Sequence, residues 1–194
     1  MNNIRINAKN DFLESIASAA PMKALAELVW NGLDAGSDRI EIAFESNPLE
    51  GLERISVRDY GAGIQHEELP MLFGSLGNSW KKTKNKLYGR SLHGKNGQGR
   101  FKAFSLGHRV VWNTVFPKDG SSYRYQIIGH YEQLESWQST EPEEVAGEVK
   151  GTEVIITGIT KSLGELTADS AHEDLAKLFA AYLSQYPPTF PAVS

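Results

Sequence analysis

The stretch ELVWNGLDAGSDRIEI, residues 27–42, places three carboxyl or carboxamide side chains in a segment with the apolar pattern of a buried helix. At about 100° per residue, Glu27, Asn31 and Asp34 fall within roughly 60° of one another. The apolar side chains fall on the opposite side: Leu25, Leu28, Val29 and Leu33. A solvent-exposed face would also explain the polar stripe, but the helix has little of the Lys/Glu pairing typical of exposed helices. We therefore expect a half-enclosed stripe, with the apolar face packed on a sheet.

The segments around this helix also follow recognisable patterns. Pro21 suits the first turn of the helix, and Gly32 costs it about 1 kcal/mol relative to alanine, which indicates close packing or close approach of a phosphate. Further helices are predicted at 11–18, within 66–79, from 100 and at 169–186. Alternating strands are predicted at 38–45, 53–59, 108–116, 121–131 and 151–159, and loops at 47–51, 80–99 and 141–148. This mixture predicts an α/β layer sandwich.

Composition limits the class of protein. A chain of 194 residues can bury one core, and 40% hydrophobic and 23% charged residues are ordinary for a soluble domain. The absence of cysteine excludes disulfides and thiolate metal sites and makes a reducing cytoplasm the expected location. The five histidines have no ligand spacing, which argues against structural zinc. No apolar run approaches the ~20 residues needed to span a bilayer, so no membrane partner is expected.

Charge is unevenly distributed along the chain. The formal net charge is −4, yet no Asp or Glu occurs between Leu69 and Lys118. That stretch contains ten basic residues: Lys81, Lys82, Lys84, Lys86, Arg90, Lys95, Arg100, Lys102, Arg109 and Lys118. A local basic field in an acidic protein suggests an anionic partner, either phosphate or nucleic acid. A solvated lysine-rich loop would explain Lys81–Lys86 equally well.

Two glycine-containing segments carry further signals. In RDYGAGI (58–64), Asp59 ends a strand, and Gly61 and Gly63 let backbone turn sharply and admit a flat ligand. The Asp59 carboxylate can accept a hydrogen bond from an exocyclic amine, although a simple strand-ending turn has the same pattern. GAGIQH lacks the third glycine of a Rossmann fingerprint.

The second segment is LHGKNGQGRFKAF, residues 92–104, whose glycines alternate with polar side chains before a predicted helix. Backbone N–H groups in such a loop can cradle phosphate. The segment is not a Walker A loop, because Arg-Phe follows Gly99 where Lys-Ser/Thr is required. A flexible linker remains the alternative explanation for this segment alone.

Together and in this order, the three segments resemble the motifs of the GHKL ATPases: gyrase B, the large heat-shock chaperone, histidine kinases and MutL-type proteins. ELVWNGLDAGSDRIEI resembles the N-box, DYGAG the first glycine box, and GKNGQGRFKA the second. GTEVIITGI (151–159) resembles the strand that closes the adenine pocket. The MutL and microrchidia group looks nearest, because the N-box is followed directly by a strand.

The resemblance implies a Bergerat-type two-layer sandwich, with a mixed, mainly antiparallel sheet and helices on one face. The domain would span 1–186 with a lid at about 74–99, and 187–194 would begin a linker to a further domain. Glu27 would be the catalytic base that activates water, and Asn31 would be the Mg²⁺ ligand. The implied ATP-binding residues are Asn31, Asp34, Asp59, Gly61, Gly63, Gly94, Lys95, Asn96, Gly97, Gly99, Arg100, Phe101 and Thr152.

The implied activity is slow, Mg²⁺-dependent ATP hydrolysis by the N-terminal domain of a larger protein, acting as a switch or an ATP-driven homodimeric clamp. Glu27, four residues before Asn31, favours hydrolysis over the phosphotransfer of histidine kinases. Activity should be weak in an isolated domain, because family members take a phosphate-sensing lysine from a following domain. Two alternatives stay open: a nucleotide-sensing module without hydrolysis, and a clamp that contacts DNA through Lys81–Lys102.

Overall fold

Most of the predicted elements are present in the computed structural model of the protein, which describes residues 1–6, 10–49, 51–74, 86–87, 90–91, 98–183 and 192–193. The strands are β1 Asn2–Arg5, β2 Arg39–Ser46, β3 Leu52–Asp59, β4 Lys86–Leu87, β5 Arg90–Ser91, β6 Arg109–Lys118, β7 Ser121–His130, β8 Ser136–Ser139, β9 Glu143–Val145, β10 Gly151–Thr157 and β11 Ala192–Val193. The α-helices are α1 Asn10–Ala17, α2 Pro21–Asp34, α3 Leu69–Gly74, α4 Gly99–Lys102, α5 Gly164–Thr167 and α6 Ala171–Leu183.

One large sheet organises the described part of the chain. Its strands run in the order β1-β8-β7-β6-β10-β3-β2-β11, and β9 pairs with β7 beside this path. Neighbours pair antiparallel except β11, which pairs parallel with β2. α2 packs against β2 and β3 and also contacts α4, α5 and α6. The predicted mixed, mainly antiparallel α/β sandwich is confirmed.

Strand alternation decides which side chains reach the helices. In β3, Ile55 and Val57 are buried in the core, and Asp59 lies on the same face because side chains repeat every second residue. The opposite face is polar: Arg58 donates to the Val149 carbonyl at 2.9 Å, and Arg124 pairs with acidic side chains that follow β8. A carboxylate at the end of an otherwise apolar row is therefore directed towards the helical layer.

α2 begins and ends as its sequence predicts. Pro21 occupies its first turn, and the predicted apolar residues Leu25, Leu28, Val29 and Leu33 are all buried. At its end Gly36 has φ of 79°, where the Gly36 amide donates to Leu33 O and the Ser37 amide to Gly32 O, both at 3.1 Å. This pair of bonds is a Schellman motif, which satisfies terminal carbonyls and turns the chain into β2.

An aromatic cluster joins the sheet to the small helices. Trp137 of β8 is fully buried, with its ring centroid 5.1–5.8 Å from those of four other rings: Phe73, Phe101, Phe104 and Trp112. Gly129 provides the space, since a Cβ there would lie 2.0 Å from the Trp137 ring. The cluster fixes α3 and α4 against β6 and β8.

Some predictions differ from the structure. The predicted loop at 141–148 contains β9, the predicted loop at 80–99 contains β4 and β5, and the predicted linker at 187–194 contains β11. β1, β8 and α5 were not predicted. Most of the predicted lid lies outside the described residues, as do 187–191 and 194 of the predicted linker. No helix in the described ranges is both long and apolar enough to cross a membrane.

Candidate functional site

Three neighbouring central strands present polar side chains at one level of the sheet. Asp59 ends β3, while Thr152 of β10 lies directly opposite Thr114 of β6. Asp59 Oδ1 accepts hydrogen bonds from the amides of Gly61, at 2.8 Å, and Thr152, at 3.2 Å. The two threonine hydroxyls are 3.1 Å apart, and Thr114 Oγ1 also accepts from the Ile64 amide at 2.9 Å. Strand pairing therefore fixes a polar row facing the helical layer.

Asp59 is a buried carboxylate whose two oxygen atoms differ in their hydrogen bonds. Its exposed fraction is 9%, and burial raises its pKa, an effect opposed by the Gly61 and Thr152 amides and by Arg58. Within the described residues, Oδ2 receives no hydrogen bond. This oxygen can therefore accept a hydrogen bond from the amino group of a ligand.

The turn after Asp59 lies so close to neighbouring backbone that its two glycine positions have no room for a side chain. A Cβ at Gly61 would lie 2.7 Å from the Ala35 carbonyl oxygen, and the Ala62 amide donates to that oxygen at 3.0 Å. Gly63 has φ of 72°, and a Cβ there would lie 2.2 Å from the Val115 carbonyl oxygen. Glycine is thus required by packing on both sides of the turn.

Gly32 brings α2 against the same turn. A Cβ at Gly32 would lie 2.8 Å from Asp59 Cβ and 3.0 Å from Ile40 Cδ1. Of the two explanations for this glycine, close packing is therefore the one that the described contacts support. The missing side chain sets the distance between the polar face of α2 and the end of β3.

The polar stripe of α2 meets the first residue of α4. A Cβ at Gly99 would lie 3.0 Å from Glu27 Oε2 and 3.6 Å from Asn31 Nδ2. Asn31 is exposed, Glu27 is half-buried and Asp34 is buried, so the three stripe residues have different environments. The helix thus joins the Asp59 turn to the start of α4, which brings together the three sequence motifs.

Several residues that shape the site were not assigned these roles from sequence. Lys102 Nζ donates a hydrogen bond to Glu27 Oε1 as an ion pair. Thr114 links Thr152 to the turn, and Ser37 Oγ accepts from the Tyr60 amide at 2.9 Å. The sequence holds a weak indication of the role of Thr114, because a hydroxyl is unusual at a strand position that faces the core. The sequence holds no indication of the role of Lys102, because its partner, Glu27, is 75 residues away along the chain.

Arg100 and Phe101 use their side chains for packing. Arg100 is buried, donates from Nη2 to the Phe73 carbonyl at 3.2 Å, and places its guanidinium 4.7 Å from the Phe101 ring centroid. Burial lowers the pKa of Arg100 to about 10. Phe101 is fully buried, and its amide donates to Gln98 O at 3.0 Å. Their predicted phosphate contact stays a prediction, and neither side chain is turned outward to make it.

The remaining predicted phosphate ligands lie outside the described residues. They are Gly94, Lys95, Asn96 and Gly97. The predictions for these four residues therefore stay predictions.

Known proteins share this sequence pattern. A model of the family described as histidine kinase-, DNA gyrase B- and HSP90-like ATPase matches residues 19–154. The DNA mismatch repair protein MutL of Chromohalobacter salexigens is 33% identical over 117 residues, which cover 59% of this chain and 17% of that protein. MutL of Methanothrix thermoacetophila is 28% identical over 143 residues, covering 74% and 24%. MutL of Deinococcus radiodurans is 47% identical over 51 residues, covering 26% and 9%.

The family match includes the N-box helix, the Asp59 turn, α4 and the first residues of β10. The chain spans at most 24% of the length of these three relatives, so their names describe much longer proteins. Since the matched region covers more than half of the chain and the sheet and motif order agree with it, the chain belongs to the histidine kinase-, DNA gyrase B- and HSP90-like ATPase family, and is an ATP-binding domain related to MutL.

Proposed function

We propose that this domain binds ATP with Mg²⁺ along α2, between the Asp59 turn and α4, and slowly hydrolyses it as a nucleotide-driven switch. The observation that carries the proposal is that Glu27 and Asn31 of α2 meet Gly99 of α4, while the next residue, Gly32, brings the same helix against Asp59 at the end of β3. An acid, an amide and a glycine beside one face of α2, and a buried carboxylate beside the adjacent face, suit the two ends of a nucleotide.

Asp59 would recognise the adenine base. Its Oδ2 can accept a hydrogen bond from the exocyclic amino group, while Oδ1 is held by the Gly61 and Thr152 amides. Guanine carries a carbonyl oxygen at the corresponding position, so it would place an acceptor against the carboxylate. ATP should therefore bind in preference to GTP.

The phosphates would lie against the start of α4. Backbone amides of the glycine-rich segment leading to Gly99 would hold them, together with Lys95. Asn31 is exposed beside Gly99, so its amide oxygen can ligate a cation that keeps most of its waters, as Mg²⁺ prefers. When bound, Mg²⁺ supplies neutralisation of phosphate charge.

Glu27 would be the general base. In this step the oxygen of a water bonds to the γ-phosphorus, the bond to the ADP oxygen breaks, and the water proton passes to the Glu27 carboxylate. Glu27 is half-buried one helical turn before Asn31, which directs it to the phosphate end. In this proposal the closed, ATP-bound state also holds two copies together as a clamp.

The substitution Glu27→Gln tests the proposal with little change of shape. We expect ATP affinity near wild type and loss of phosphate release, measured by calorimetry and by release over long incubations with enzyme in excess. Light scattering of the ATP-bound variant should report a dimer. Glu14→Gln, at an exposed position of α1, is the matched control.

Two outcomes would contradict parts of the proposal. Unchanged phosphate release by Glu27→Gln would remove Glu27 as the base. Absence of release by the wild-type chain, with ATP and a non-hydrolysable analogue stabilising it equally, would favour a nucleotide-sensing module without hydrolysis.

A further inference from the structure

We propose that Lys102 is a positioning residue for hydrolysis: it holds Oε1 of Glu27 and so directs Oε2 to the phosphate end of the site. This inference rests on the proposed function of Glu27 as the base. It assigns to Lys102 a role that acts through the carboxylate rather than through direct contact with ATP.

A single helical turn contacts both oxygens of the carboxylate. Gly99, the first residue of α4, lies beside Glu27 Oε2, and Lys102, the last, donates to Glu27 Oε1. Since α4 closes the segment expected to hold the phosphates, the same backbone turn would define the positions of phosphate and base.

The ion pair is better shielded than others in the described chain. The exposed fractions are 17% for the Glu27 side chain and 26% for Lys102, against 59% and 44% for Glu67 and Lys118. Exposed pairs are weakened by water and salt and contribute little, whereas partly buried pairs are screened less. The contact is therefore suited to hold Glu27 in one orientation.

Lys102 extends from a fixed backbone. Phe101 is fully buried against Trp137, and Arg100 is bonded to the Phe73 carbonyl. On the other side, Ser105 Oγ donates to the Lys102 carbonyl at 2.8 Å. Because the backbone on both sides of Lys102 is held, its ammonium group is a stable reference point for a glutamate with three rotatable side-chain bonds.

The two carboxylate oxygens of Glu27 would therefore have different roles. Oε1 is occupied by the ammonium group, so Oε2, next to Gly99, is the oxygen that would accept the proton from water. Without Lys102, Glu27 would sample other rotamers, and the productive arrangement with the attacking water would be populated less often.

The test compares Lys102→Met and Lys102→Arg in the 194-residue chain, with Lys118→Met as a matched control that breaks the exposed Lys118–Glu67 pair. We expect Lys102→Met to lower kcat roughly ten- to a hundredfold, with Kd for ATP near wild type. Lys102→Arg should restore most of kcat, because guanidinium can also donate to Oε1. Lys118→Met should keep wild-type kcat.

Other results would overturn the inference. A wild-type kcat for Lys102→Met would mean that Glu27 does not need the ion pair with Lys102 to be positioned for hydrolysis. A large rise in Kd for ATP would make Lys102 a phosphate ligand, and failure of the folded Lys102→Arg variant to recover activity would leave only a packing role. If the wild-type chain binds ATP but releases no phosphate, the proposed function itself fails, and the positioning role fails with it.

Discussion

At the scale of single residues, Asp59 combines a structural role with the proposed recognition role. Its Oδ1 ties β10 to the turn after β3, while its burial raises its pKa. The folded protein therefore binds the Asp59 proton more tightly than the unfolded chain does. This carboxyl contributes stability that is fully present below about pH 4 and is lost as pH rises through the raised pKa.

Asp59→Asn tests both roles. We expect ATP affinity to fall roughly ten- to a hundredfold, because the amide cannot replace a charged acceptor at both oxygens. We also expect the free energy of unfolding of the wild type, relative to the variant, to decrease as pH rises from 4 to 8. Calorimetry with ATP and urea denaturation across that pH range measure the two effects.

Asp38→Asn, at an exposed position, is the control for removing one carboxylate. A flat pH dependence of the difference between wild type and Asp59→Asn would contradict the raised pKa. Unchanged ATP affinity would remove Asp59 from the proposed adenine site.

Residues within a continuous motif could be predicted, whereas partners brought together by the fold could not. DYGAG predicted the Asp59 turn, and the helical stripe predicted the shared face of Glu27 and Asn31. Thr114 reaches Thr152 across 38 residues of chain, through a strand register that no local pattern specifies. Lys102 likewise needed the position of α4 relative to α2.

At the scale of elements, the approach of α2 to β3 controls the site. Gly32 is unfavourable for an isolated helix, yet it allows contact with Asp59 and Ile40. Two opposing effects decide what an alanine would do there. Helix propensity favours alanine by about 1 kcal/mol, whereas overpacking a close contact costs typically ~1–3 kcal/mol.

We expect Gly32→Ala to destabilise the domain by up to about 2 kcal/mol in urea denaturation, because the methyl group meets Asp59 Cβ near the backbone, where little can move. ATP affinity should fall as well, since Asp59 and the stripe would separate. Lys23→Ala, exposed on the same helix, is the control. A stabilised Gly32→Ala protein would show that helix propensity dominates and that α2 can shift freely.

The longer helices and strands were predictable because the spacing of their apolar side chains follows the period of a helix or of a strand. α2, β6, β7 and β10 have enough residues for one face to be recognised. β1, β8 and β9 have three or four residues each, and pairing with neighbours rather than local pattern makes them strands. The importance of Trp137 was equally hidden, since its ring contacts come from several separate elements.

At the scale of the whole molecule, the basic field between Leu69 and Lys118 is partly used within the fold. Arg100 is buried, while Lys102 and Lys118 pair with Glu27 and Glu67. The contacts to a nucleic-acid partner would therefore come mainly from the other basic residues between Leu69 and Lys118. Those that precede α4 are concentrated in residues 81–95.

If this field contacts DNA, replacing Lys81, Lys82 and Lys84 by alanine should weaken binding at low salt and reduce the slope of log affinity against log salt by about 3, since each phosphate contact contributes about 1. Electrophoretic or fluorescence titrations at several salt concentrations measure the slope. The matched control replaces three exposed lysines outside the field: Lys23, Lys150 and Lys161. Equal losses in both triple variants would indicate only an effect of net charge.

The polar row of Asp59, Thr152 and Thr114 has a bearing on inhibitor design. Because paired central strands hold these groups, that part of the proposed nucleotide site is in place before any small molecule binds. A flat amino-heterocycle that donates to Asp59 would need no anionic mimic to compete with the natural nucleotide. Its potency would then be independent of the divalent-ion concentration, which would distinguish such compounds from triphosphate analogues.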